Sequence, residues 1–114
     1  MTTADVLGHH LQAFGAGSLE EIMKDYTAES KFVTPDGVIE GLDGIRTALA
    51  GLFAEFGKPG MRFEMLKTHV VGEVALIVWN AETADNVYEL GTDTFVVRGG
   101  KIAYQTFAAK VAPK

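Results

Sequence analysis

The sequence contains no cysteine, which excludes a disulfide framework, a thiolate nucleophile and any cysteine-ligated zinc or iron–sulfur centre. Basic residues are also short: 10 Lys and Arg stand against 15 Asp and Glu, a net charge of −5. That balance argues against nucleic acid or an anionic membrane as the main partner. Long apolar runs are missing. The longest, Val74 to Trp79, lies between Glu73 and Asn80, far below the roughly 20 residues a membrane-spanning helix needs. The opening residues, Met1-Thr-Thr-Ala-Asp5, have neither the basic cluster nor the apolar stretch of a signal peptide, so a cytoplasmic location is expected.

What is present describes one ordinary core. The 114 residues match a single domain, at roughly 100–200 residues per domain, so one unit over 1–114 is expected. Hydrophobic residues at 47% and charged residues at 22% are those of a soluble globular protein. No internal repeat, linker or low-complexity segment interrupts the chain.

The first half reads as helices and the second as strands, a segregation that predicts an α+β fold. Leu7, Leu11 and Phe14 share one helical face over about 4–14, with Thr2 or Thr3 as cap and Gly15-Ala16-Gly17 as stop. Ser18 stands three residues before Glu21, the spacing of a capping box, and opens a short helix with Leu19, Ile22, Met23 and Tyr26 on its buried face. Lys31 to Thr34 is a short strand, Pro35-Asp36-Gly37 a turn, and Val38 to Glu40 a second short strand. Leu42, Ile45, Leu49, Leu52, Phe53 and Phe56 repeat at threes and fours, predicting a third helix that ends at Gly57-Lys-Pro-Gly60. Strands are then expected at about 61–71, 73–83, 87–98 and 101–111, an antiparallel meander. The expected architecture is a cone-shaped, curved antiparallel sheet with three N-terminal helices over its concave face and a pocket where the cone stays open.

Alternation along strands sorts side chains into two rows. Val74, Leu76, Val78, Asn80 and Glu82 form one row of the 73–83 strand, and Ala75, Ile77, Trp79, Ala81 and Thr83 the other. Asp93 shares a face with Phe95 and Val97, and Gln105 with Ala103, Phe107 and Ala109. Should these rows all face inward, Asn80, Glu82, Asp93 and Gln105 converge in an apolar cavity, the composition of a small-molecule site. His10 falls on the apolar stripe of the first helix one turn before Phe14, while His9 points elsewhere; a histidine beside a carboxylate is an acid–base pair for neutral pH.

Each of these residues also has a purely structural reading. His10 can be a core histidine, Asp93 a strand-end residue bonded to backbone amides, and Glu82 a solvated rim residue. Trp79 reads as core or dimer interface. Gly99-Gly100-Lys101 joins two strands and reads as a hairpin turn, not a phosphate cradle. His9 and His69, with Asp5 and Glu64 nearby, lack metal-ligand spacing on one helix face, so no metal is expected.

Leu11-Gln-Ala-Phe-Gly-Ala-Gly-Ser-Leu-Glu-Glu-Ile-Met23, then Tyr26, Phe32-Val-Thr-Pro-Asp-Gly37, Glu40-Gly-Leu-Asp-Gly-Ile45 and Thr92-Asp-Thr-Phe-Val-Val-Arg-Gly-Gly-Lys-Ile-Ala-Tyr-Gln-Thr-Phe107 resemble the nuclear transport factor 2-like superfamily. Its SnoaL-like and ketosteroid-isomerase-like branches are the most similar. The resemblance implies a conical α+β barrel with an apolar pocket and a homodimer built through the sheet. Ketosteroid isomerases use an Asp base before a Pro, a Tyr, and a protonated Asp that stabilises the oxyanion. By the resemblance, Thr34 stands where that base would be, His10 at the tyrosine position, Asp93 at the oxyanion aspartate, and Tyr26 at a supporting tyrosine.

Three functions follow as expectations. The first is a cofactor-free isomerase, cyclase, dehydratase or hydrolase acting on a small, largely apolar substrate. His10 and Asp93 would be its catalytic pair, with Tyr26, Thr34, Asn80, Glu82, Gln105, Phe14 and Phe107 contacting substrate. The second is a small-ligand binding protein without chemistry, favoured by the missing base before Pro35. The third is a dimerising scaffold whose pocket is filled by its own aromatic side chains.

Overall fold

Thr2 starts the first helix by a reciprocal cap: its hydroxyl accepts the Asp5 N–H at 3.1 Å, and the Asp5 carboxylate accepts the Thr2 N–H at 3.0 Å. In the computed structural model, which describes residues 1–114, this helix, α1, spans Thr3–Gly15 and buries Val6, Leu7, His10 and Ala13. Helix α2 spans Leu19–Met23. The Ser18 hydroxyl accepts the Glu21 N–H, but the expected box is one-sided. Ser18 gives its own N–H to the Ala13 carbonyl, and the Glu21 carboxylate turns to His9 and Lys24.

Tyr26 is not on that helix. The Lys24 and Asp25 amides bond back to Glu21 and Ile22, closing α2, and Tyr26 opens strand β1 (Tyr26–Thr34) by pairing with Ile102. This strand is longer than the expected Lys31–Thr34 because its first residues pair with the distant last strand. Strand β2 (Gly37–Glu40) returns antiparallel to β1, and helix α3 (Gly41–Phe56) follows. The meander then comprises β3 (Arg62–Val71), β4 (Val74–Glu82), β5 (Asn86–Arg98) and β6 (Lys101–Pro113). Gly99 and Gly100, both at positive φ (58° and 76°), make the two-residue β5–β6 hairpin turn that only such backbone allows.

The six strands form one curved sheet in the order β2-β1-β6-β5-β4-β3. Its meander and its β1–β2 hairpin are antiparallel, as expected, but β1 runs parallel to β6, so the sheet is mixed. That pairing is set by α3, which carries the chain from one edge of the sheet to the other, and no local pattern encodes it. The three helices lie on the concave face: Ile45, Leu49 and Phe56 of α3 and Ile22 and Met23 of α2 join Phe95, Val97 and Ile102 in one buried cluster. Burying each of these large side chains stabilises the fold by about 1.5–3 kcal/mol before entropy is counted. Coverage stops short of β3, where Phe63, Leu66 and Val70 stay exposed, and this uncovered edge is the mouth of the cone. No helix is long and apolar enough to cross a membrane.

One polar clamp ties α3 to the β4–β5 turn. The Glu55 carboxylate accepts from Thr83 Oγ1 (2.6 Å), Asn86 Nδ2 (2.9 Å) and Tyr88 Oη (2.9 Å). Burial raises the Glu55 pKa, and the three donors outweigh it, leaving the carboxyl below its ordinary 4.5. A depressed carboxyl pKa contributes stability that is fully present above the unfolded value and lost as pH falls through the folded one. Glu55→Ala is expected to cost about 2 kcal/mol in urea denaturation at neutral pH. It should also flatten the loss of stability that the unaltered protein shows on acidification.

Candidate functional site

Strand alternation and register bring the site together. The inward row of β4 is Ala75, Ile77, Trp79 and Ala81, and that of β5 is Gly91, Asp93, Phe95 and Val97. Register places Asp93 between Ile77 and Phe107, and Gln105 between Phe95 and Phe32. Under α1 and α3, Phe32, Ile77, Trp79, Asp93, Phe95, Gln105 and Phe107 help to line a partly open cavity of about 70 Å³, whose three polar lining residues are His10, Asp93 and Gln105. Phe14 lines it as well. The chamber has room for a few waters or a small chemical group. It adjoins an outer groove of about 330 Å³ toward Met61 and Met65, and Leu11, Phe14, Phe56 and Phe63 border both spaces.

A buried carboxyl needs donors, and Asp93 has two. Trp79 Nε1 donates to one oxygen and Gln105 Nε2 to the other, each at 2.9 Å. The Gln105 carbonyl in turn accepts the Tyr26 hydroxyl at 2.5 Å, which orients the amide so that its NH2 faces Asp93. Burial raises the Asp93 pKa above its ordinary 3.8, and the Gln105 and Trp79 bonds offset only part of that. Burial, reinforced by nearby carboxylates, also holds Tyr26 well above 10, so it remains a donor. Asp93 makes no other side-chain hydrogen bond, and it lines the cavity.

Trp79 reaches Asp93 because β5 has a glycine beside it. Trp79 pairs with Gly91, and a Cβ at Gly91 would lie 2.4 Å from the indole, so only glycine lets the ring lie across the strand. Phe63 and Phe107 stack on the indole at 5.4 and 6.1 Å between ring centroids. Trp79 is thus a site residue as well as core, a role that Gly91 in mid-strand was the sequence signal for.

His10 lines the same cavity and packs its ring edge to face with Phe95 at 5.0 Å. Burial, helped by the charge on His9, lowers its pKa to about 3, so the ring is neutral at physiological pH. It makes no direct hydrogen bond to Asp93. The carboxylate facing it is Asp25, whose Oδ2 lies 3.8 Å from His10 Nδ1; neither atom has a hydrogen-bond partner. His9, as expected, does not line the cavity. Its Nδ1 meets Asp25 Oδ1 at 2.6 Å and its Nε2 meets Glu21 Oε1 at 3.0 Å, and these contacts raise its pKa, Glu21 foremost, against the opposing cost of desolvation.

Three expected residues lie elsewhere. Asn80 and Glu82 occupy the outer row of β4, because the helices cover the face that carries Trp79. Asn80 donates to Glu64, while Glu82 pairs with Lys114 and Arg62 at 2.6 and 2.5 Å, ion pairs that pull its carboxyl down to about 2. Thr34 is at the end of β1, where its hydroxyl donates to the Gly37 carbonyl and accepts the Asp36 N–H. The Pro35-Asp36-Gly37 turn carries it beyond the cavity. No group of three or more His, Asp or Glu side chains is arranged to hold a metal ion.

Residues 7–105 match the family of the SnoaL-like domain. Among solved structures, the chain is similar to a candidate ketosteroid isomerase from Kribbella flavida, with 15% identity over 98% of this chain and 80% of that one, at a TM-score of 0.77. A candidate polyketide cyclase from Sinorhizobium meliloti is 14% identical over 90% and 93% of the two chains, at a TM-score of 0.74. TerC, co-crystallised with polyporic acid, is 16% identical over 95% and 91%, at 0.75. At these identities the likeness is one of fold. No curated protein matches the sequence significantly.

Gly91→Ala is expected to lower stability by about 1–3 kcal/mol, the usual cost of overpacking. Trp79 is the single tryptophan, so its emission should shift as the indole leaves Asp93. An unchanged melting temperature and spectrum would mean the indole does not rest on this glycine.

Proposed function

The chain belongs to the SnoaL-like domain family, and on that premise we propose that its cavity binds a small, largely apolar carbonyl compound and moves a proton on it without a cofactor. The observation that carries this reading is Asp93: a buried carboxyl with one N–H donor on each oxygen, lining an apolar chamber. In its protonated form, which burial favours, Asp93 donates to the substrate carbonyl oxygen and stabilises the charge that develops there. His10, neutral in the same chamber, takes the proton from the carbon next to that carbonyl. The C–H electron pair becomes the enolate double bond, and return of the proton to another carbon completes an isomerisation. Expulsion of a β-hydroxyl instead completes a dehydration.

Tyr26 and Gln105 orient Asp93, and Phe14 and Phe107 pack against the substrate. Asn80, Glu82 and Thr34 have no part in this. The chamber of about 70 Å³ supports a substrate that inserts a small carbonyl head, with any longer apolar part in the groove beside Met61 and Met65; a fused polycycle does not fit inside it. A second reading, ligand binding without turnover, is supported by Thr34, which leaves the position before Pro35 with no carboxylate and outside the cavity.

Association through the outer sheet face accompanies either function. Leu76, Val78, Thr92, Thr94, Val96, Thr106 and Ala108 share that face by register, a centre without charge, bordered by pairs such as Arg62–Glu82 and Lys110–Glu89. This is the pattern of an interface core with a polar rim, and it supports a homodimer.

Small cyclic enones and β-hydroxyketones in D2O test the chemistry by NMR. Proton transfer predicts deuterium at the α-carbon, falling about a hundredfold or more in Asp93→Asn and in His10→Gln. A compound that raises the melting temperature by binding at Asp93, yet gains no deuterium, would favour binding alone. Light scattering tests the association: twice the chain mass is expected for the unaltered protein and a single chain mass for Val78→Arg. A monomer at the outset would remove the dimer.

A further inference from the structure

Behind His10, on the side away from the cavity, two adjacent histidines share one buried carboxylate. Asp25 is buried and sits in the joint between α2 and β1. Its Oδ1 holds His9 Nδ1 at 2.6 Å, and Glu21 Oε1 holds His9 Nε2 at 3.0 Å. Two carboxylates on the two nitrogens of one ring require two N–H donors, so His9 is an imidazolium and balances the Asp25 charge. The other groups that bear on Asp25 are Lys101 of β6, whose ammonium is held on the Lys24 carbonyl, and His10 itself.

The remaining Asp25 oxygen, Oδ2, faces His10 Nδ1 across 3.8 Å. Both atoms are buried without a partner. Were the His10 proton on Nε2, two lone pairs would confront each other out of reach of water, which is costly. With the proton on Nδ1 the same pair becomes donor and acceptor, and a small rotation of either side chain closes the gap to a hydrogen bond. We propose that Asp25 is a positioning residue that holds His10 as its Nδ1–H tautomer, so that the unprotonated Nε2 is the nitrogen available to the cavity.

This defines what His10 can do. A neutral imidazole with its Nδ1 proton on Asp25 presents an acceptor to the ligand, never a donor. Where the proton-transfer reading holds, Nε2 receives the substrate proton, the electron pair stays on the substrate as enolate, and the imidazolium formed is balanced by the Asp25 carboxylate. The tautomer itself does not depend on turnover. A ligand-binding protein would use the same Nε2 to accept a hydroxyl or N–H, so the inference rests on that reading only for the proton's use.

Long-range 1H–15N correlation of 15N-histidine-labelled protein reads the tautomer without any ligand, and His9, His10 and His69 are the only rings to resolve. The expected result is His10 neutral near pH 7 with its proton on Nδ1, favoured about tenfold or more over Nε2, as befits a buried pair that would otherwise go unsatisfied. Asp25→Asn supplies the control. In that variant the new amide's carbonyl would stay on His9 and its NH2 would face His10 Nδ1, so the tautomer should reverse to Nε2–H while the His9 pKa falls by the Asp25 share and keeps the larger Glu21 one. His10 found as Nε2–H in the unaltered protein would overturn the proposal, and so would a folded Asp25→Asn variant with the His10 tautomer unchanged. Should Asp25→Asn fail to fold, the first measurement alone decides. A correct tautomer with no deuterium exchange would leave this inference standing and remove the catalytic reading. The wrong tautomer alongside Asp93-dependent exchange would do the reverse.

Discussion

A carboxyl group held away from water in an apolar chamber is the constraint around which this protein is arranged. An unpaired buried carboxylate is costly enough that the fold must supply donors, neutralise the group, or both. Here the donors come from two different strands: the indole N–H of Trp79 on β4 and the amide of Gln105 on β6 meet Asp93 on the strand between them. Each donor depends on another choice. Gln105 is turned the right way by the Tyr26 hydroxyl, and Trp79 reaches across only because position 91 has no side chain.

The same concave face explains the chamber's size. Aromatic rings from α1, α3, β3, β4, β5 and β6 converge on it, filling most of the cone and leaving a small, largely apolar inner space with His10, Asp93 and Gln105 on its wall. The larger apolar groove lies outside it, toward the β3 edge that the helices leave uncovered. Small volume, one hydrogen-bonding carboxyl and one neutral imidazole favour recognition of a single polar head group. A chain that only stores a ligand would need the acceptor and donor pattern but no proton traffic.

Much of this geometry was legible from alternation. Asp93 and Gln105 are polar residues within inward rows of apolar ones, and His10 falls on the apolar stripe of α1, so all three could be placed facing the core before any coordinates. Asn80 and Glu82 could not be placed. Both rows of β4 hold apolar residues, Val74, Leu76 and Val78 on one side and Ala75, Ile77 and Trp79 on the other. Which row faces inward depends on where the helices pack, a fact outside the strand itself. Thr34 was drawn in by the proline that follows it, yet the turn that proline starts is what removes it from the cavity. Asp25 was invisible because a charged residue after a short helix reads as a solvated link; its burial comes from His9, His10 and β6, which meet it only in the fold. The parallel β1–β6 pairing was illegible for a similar reason, since it joins residues such as Phe32 and Gln105 that are far apart in the chain.

The most direct measurement is the titration of the Asp93 side-chain carboxyl by 13C NMR, assigned with Asp93→Asn. Burial in the chamber predicts a midpoint clearly above 3.8. A raised carboxyl pKa contributes stability below the unfolded value and loses it as pH rises through the folded one, so denaturation over the same range should show that loss, absent in Asp93→Asn. A midpoint at or below the ordinary aspartate value would mean that Asp93 is a solvated or strongly ion-paired carboxylate. The chamber would then lack the neutral acid on which proton donation to a ligand depends.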